Sequence, residues 1–95
     1  MNAYDTITLK REQGISLHKY YKSYTDPVYI AGFCAIRDEP ISLELLEQVI
    51  YNLEKHWAVV EADIKINGGN YEDNEAEELI NLMHELEFAL FYTKE

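Results

Sequence analysis

The sequence predicts an all-α protein, a compact small bundle built on a C-terminal antiparallel αα-hairpin. Three observations carry this reading. Apolar residues recur at helical spacing from Ser42 to Ile64 and again from Asn74 to Phe91, a glycine-rich break separates the two stretches, and a proline-marked helix entry precedes both. Ninety-five residues make one domain, 1–95, near the small end of what a single core supports. An apolar fraction of 47% with 27% charged residues belongs to a folded chain and not to a disordered acidic tail.

The N-terminal signals are weak and admit two readings. In one, Gly14 ends a short helix from about Thr6, Gly14-Ile15 turns the chain, and Ser16 caps a second helix through Tyr24. In the other, the alternation Thr6-Ile7-Thr8-Leu9 pairs with Ile15-Ser16-Leu17 across a glycine-containing turn. That alternative gives an α+β fold, with an N-terminal β-hairpin packed on the two helices.

Thr25-Asp26-Pro27 supplies a capping residue and a first-turn proline, so a helix is expected to start there. The run that follows, Val28 to Ile36, is apolar almost throughout and suits a buried helix or a buried strand. The entry signal favours the helix; Gly32 and the β-rich start favour the strand. Ser42 then reads as the N-cap of a long helix whose apolar face is Leu45, Leu46, Val49, Ile50, Leu53, Trp57, Val60 and Ile64. Asn67-Gly68-Gly69-Asn70 stops it. Asn74, with Glu77 three residues on, opens a second helix with Ala76, Leu79, Ile80, Met83, Leu86, Leu90 and Phe91 as its apolar face.

Charge divides the chain. The basic and aromatic part, residues 1–37, carries five basic residues against three acidic, a net of +2. The acidic hairpin, residues 38–95, carries fifteen acidic against three basic, a net of −12. Such asymmetry speaks of partners and not of fold. Glu47, Glu54 and Glu61 recur every seven residues and stack along one flank of the long helix, about 10 Å apart by helical rise. Glu44 lies further round, and Lys65 closes the row as an i,i+4 partner of Glu61. The second helix adds Glu72, Asp73, Glu75, Glu77, Glu78 and Glu85. Any one of these is explained by solvation, or by the dipole of a first helical turn. The ensemble exceeds the net charge of about 2 to 8 that solubility asks for. It therefore points to a basic protein partner, neutralised by an inhibitor, immunity protein or antitoxin, or deceived by a nucleic-acid mimic. The candidate contacts are Glu44, Glu47, Glu54, Glu61, Glu78 and Glu85, with the ring of Tyr51 as anchor.

A second class of function is self-assembly. Leu82, Phe88 and Tyr92 lie outside the core-facing stripe of the second helix, and a symmetric homodimer would cover them. Third is a DNA-binding regulator: the span from Ile7 to Tyr24 faintly resembles a helix-turn-helix, with Gly14 as its turn glycine and Ile15 and Tyr20 as core positions. Lys10 sits where that motif wants a small residue, and a net charge of −10 opposes approach to DNA. In the stretch Leu17 to Tyr24, Tyr20 and Tyr24 are expected to pack inward as i,i+4 neighbours, and Lys19 and Lys22 to pair with the acidic half. Glu87 projects from the middle of the second helix's apolar face; there it needs a partner, for which His56 and His84 are candidates, or an escape to water.

Enzymatic chemistry finds no support. Asp63, Asn67 and Gly68 fit three positions of a calcium loop, but Lys65 and Asn74 occupy two that need acidic ligands. The three histidines lack metal-site spacing, Cys34 stands alone in an apolar run, and no phosphate-binding glycine fingerprint occurs. No catalytic residue, metal ligand or cofactor is therefore expected. A lone cysteine, no apolar run of roughly 20 residues and no signal peptide favour the cytoplasm and exclude a membrane partner.

Overall fold

A computed structural model of the protein describes residues 6–68 and 74–94. Four helices account for most of them: α1 (Arg11–Leu17), α2 (Pro27–Ile36), α3 (Leu43–Asn67) and α4 (Asn74–Lys94). A minimal antiparallel sheet joins β1 (Thr6–Ile7) to β2 (Ile41–Ser42), with Thr6 opposite Ser42 and Ile7 opposite Ile41. The architecture is the expected mostly helical bundle on an α3–α4 hairpin.

The N-terminal third differs from both readings of its sequence. Ile15-Ser16-Leu17 is helical, so no local β-hairpin forms; Thr6-Ile7 finds its strand partner at Ile41-Ser42 instead. Gly14 lies inside α1 and not in a turn, and no helix runs from Ser16 to Tyr24. Long-range packing explains both. A Cβ on Gly14 would stand 2.7 Å from the Cβ of Ala35 and 2.7 Å from the Gly32 carbonyl oxygen, so the glycine permits α1 to lie directly on α2. Beyond Leu17 the chain continues in turns, with the Lys19 amide donating to the Ser16 carbonyl and the Asp26 amide to that of Ser23.

α2 starts where Asp26-Pro27 predicts. The Asp26 Oδ1 accepts from the Val28 amide at 3.0 Å and from the Asn52 side-chain amide at 3.1 Å, which ties the start of α2 to the middle of α3. Val28, Ala31, Gly32 and Ala35 form its buried stripe, and Cys34 is half-buried against the core. Gly32, which argued for a strand, serves contact instead: its Cβ would lie 2.6 Å from the His18 ring.

Ser42 caps α3, its Oγ accepting from the Leu45 amide at 3.0 Å, and Gly68 ends the helix in the left-handed region at φ 71°. Leu46, Val49, Ile50 and Leu53 are buried, while Leu45, Trp57 and Val60 pack half-buried against the core. On α4 the expected face needs two corrections. Leu82 is 3% exposed, a core residue, because α4 meets α1 as well as α3 and the second contact widens its buried arc. Phe91 is 60% exposed; five residues past Leu86, the helical period turns it to solvent. Glu72 and Asp73, and the side chains of Asn74 and Glu75, lie outside what is described, so the expected cap at Asn74 does too.

Candidate interaction surfaces

α3 positions the first group of predicted contacts. Glu44, Glu47 and Tyr51 are exposed on its outer side and, with Gln48, Asn52 and Pro27 of α2, line an open groove of about 440 Å³. Tyr51 already receives a cation, since the Lys55 Nζ lies 4.6 Å from its ring centroid.

The remaining predicted contacts lie elsewhere. Glu54 meets Glu87 across the α3–α4 seam. Desolvation, a side-chain hydrogen bond with Glu87 and the repulsion of that second carboxylate together hold the Glu54 carboxyl above its ordinary range. Glu87 is exposed, the escape to water that its sequence position allowed, and the carboxyl it meets is that of Glu54. Glu61 pairs with Lys65 at 3.3 Å, as its i,i+4 spacing predicts. On the opposite side of α4, Glu78 pairs with Lys19 at 3.1 Å, and Glu85 faces a groove of about 300 Å³ shared with Ile7, Lys10, Gln13 and Phe88. The predicted acidic contacts therefore fall in four places: the α3 groove, the Glu54–Glu87 seam, the Glu61–Lys65 pair further along α3, and the α4 side facing α1 and β1.

The aromatic residues of the N-terminal part form a surface of their own. Tyr29 stacks on His18 with ring centroids 5.2 Å apart and receives Tyr21 and Tyr24 edge-on; Phe33 continues the row and Arg37 lies over it. Tyr20 is buried as expected, whereas Tyr24 is 73% exposed because residues 18–26 form no helix to turn it inward. Lys19 joins the acidic half through Glu78; Lys22 lines a separate recess with Lys55 and His56. The i,i+4 spacing of Tyr29 and Phe33 was the available signal for the aromatic row, and nothing local in the sequence places Lys22 beside Lys55. Ile15, a core position in the helix-turn-helix resemblance, is exposed.

On α4, Phe88, Phe91 and Tyr92 are exposed together, with Phe88 and Tyr92 edge to face at 4.4 Å. Among the described residues no group of three His, Cys, Asp or Glu stands close enough to hold a metal ion, and no helix is long and apolar enough to cross a membrane. Comparison with protein-family models, curated proteins and solved structures finds no match for this chain.

Proposed function

We propose that this protein binds a basic protein partner through its acidic hairpin and so inhibits or regulates it. The observation that carries the reading is the net of −12 on residues 38–95. Of the acidic residues described there, Glu39, Glu61 and Glu78 form ion pairs with Arg37, Lys65 and Lys19. Lysine or arginine from a partner would relieve the repulsion between carboxylates, most directly at the Glu54–Glu87 seam, and would speed association. The Glu44–Glu47–Tyr51 groove suits such a side chain, with two carboxylates beside an exposed ring.

The test is capture from nuclease-treated native cytosol by wild type and by Glu47→Lys/Glu54→Lys/Glu61→Lys. A basic protein held by wild type at low salt, released as salt rises and absent from the variant is the expected result. Equal capture by both forms defeats the reading.

A second reading is favoured by Phe88, Phe91 and Tyr92: a self-assembling module that buries this α4 patch between two copies. The two separate on ionic strength, because a charge-driven complex weakens with salt and an apolar dimer barely responds. Sedimentation of Phe88→Ser/Tyr92→Ser against wild type checks it directly.

A further inference from the structure

Two exposed ridges of the bundle carry rings in the middle and opposite charges at one end. On α2, outside the buried stripe, lie Ile30, Phe33 and, just past the helix, Arg37. On the outer side of α4 lie Glu85, Phe88 and Tyr92. Each ridge spans seven residues at helical spacing, about 10 Å by helical rise. Both helices pack on α3, and both ridges are left to solvent.

The rings are held in place. Phe33 stacks with Tyr29 at 6.3 Å and has the Arg37 guanidinium 5.2 Å from its centroid, while Phe88 and Tyr92 meet edge to face at 4.4 Å. The Arg37 side chain is 58% exposed. Its Nε pairs with Glu39 at 3.1 Å, which uses one of the five N–H donors of the guanidinium. Glu85 is exposed and forms no ion pair among the described residues.

We propose that the α2 ridge of one copy docks antiparallel on the α4 ridge of a second copy, with Arg37 against the second copy's Glu85, Phe33 against its Phe88 and Ile30 against its Tyr92. The spacing sets this register. From Arg37 the steps along α2 are four residues and then three; from Glu85 along α4 they are three and then four, so the pairs stay level within about 1.5 Å. The inference rests on the self-assembly reading and names its geometry. A symmetric contact of α4 with α4 would bring together two hairpins of net −12, whereas α2 on α4 sets the part of net +2 against the acidic hairpin. The rings supply the contact, and Arg37 with Glu85 fixes its register. Because the two ridges differ, a pair of copies still offers one of each, and assembly continues head to tail.

Sedimentation velocity of the full chain over roughly 0.01–1 mM tests this, with a Kd on the order of 100 µM, as suits a contact of a few side chains. Wild type should pass beyond the dimer as concentration rises. Phe33→Ser removes the α2 ridge and Phe88→Ser/Tyr92→Ser the α4 ridge; all three residues are exposed, so both variants should fold. Each alone should stay monomeric. Their equimolar mixture should form a dimer and stop there, because one intact ridge of each kind remains. In the otherwise wild-type chain, Arg37→Glu and Glu85→Arg should each weaken assembly by about threefold or more, and both together should restore it. A Phe33→Ser chain that still dimerises, a mixture that stays monomeric, or a double reversal that restores nothing overturns the α2-on-α4 contact and leaves self-assembly standing. Wild type monomeric throughout the range overturns both.

Discussion

Gly14 and Gly32 face each other where α1 crosses α2, so closely that a Cβ on Gly14 would lie 2.7 Å from the Gly32 carbonyl oxygen. The obstacle at Gly14 is backbone and the Ala35 methyl, neither of which can swing aside. At Gly32 the two nearest atoms belong to the His18 ring, a side chain that can yield only by giving up its stack on Tyr29, and the Gly14 carbonyl oxygen follows at 3.1 Å. Gly14→Ala should therefore lower stability by about 1–3 kcal/mol through overpacking. Gly32→Ala should cost less, because the atoms that must yield first there belong to a side chain; the helix propensity of alanine, up to about 1 kcal/mol, offsets part of the clash in both helices. Urea unfolding of both variants checks the order.

Asp26 acts as cap and as tether. Asp26→Ala should cost about 1–2 kcal/mol, the cap value, and Asn52→Ala should cost less. A double-mutant cycle between the two should show a coupling of about 0.5 kcal/mol or more, because the residues share a hydrogen bond.

Leu82 and Phe91 should part company on truncation. Leu82→Ala removes a buried side chain and should cost about 2–5 kcal/mol, while Phe91→Ala should change stability by about 0.5 kcal/mol at most. Thermal unfolding of the two variants separates them clearly.

Glu54 carries a pH signature. Its folded-state pKa stands above the ordinary 4.5, so the folded protein holds this proton more tightly than the unfolded chain does. The Glu54 contribution therefore favours the fold most at pH below 4.5 and becomes unfavourable as pH rises through the raised value. Glu54→Gln should accordingly raise the urea midpoint at pH 7, and the gain should shrink as pH falls towards 4.5 and below. A gain of equal size at both ends would show that the seam has no electrostatic strain.

The elements visible in the sequence are those whose signals are local. α3 and α4 carry their apolar period over many turns, and Asp26-Pro27 and Ser42 state their helix starts outright. α1 stayed hidden because a glycine in a short segment resembles a terminator, and its true purpose depends on Gly32 and Ala35, a whole turn region away. β1 stayed hidden for the same reason, since its partner is not the next apolar stretch but Ile41-Ser42. Leu82 was misplaced because a helical stripe drawn for one neighbour cannot anticipate a second. Among the candidate contacts, the excess of acid was legible from composition. Its division among a groove, a seam and the far side of α4 was not, because pairs such as Glu54 with Glu87 and Glu78 with Lys19 exist only after docking.

The pairing of Thr6 with Ser42 closes the N-terminal third of the chain into a ring, fastened at the base of the longest helix. A ring of this kind gains its fastening only after its entropy of closure has been met by contacts elsewhere. α1 and α2 must first dock on each other and on α3, and the clasp then forms over structure already in place. It should be the last piece to arrive in refolding and the first to leave in unfolding, with amides at residues 6 and 7 exchanging ahead of those in Leu46 to Leu53. Since Ser42 also caps α3, each opening of the clasp would stop at that cap, leaving the hairpin intact while the N-terminal strand breathes.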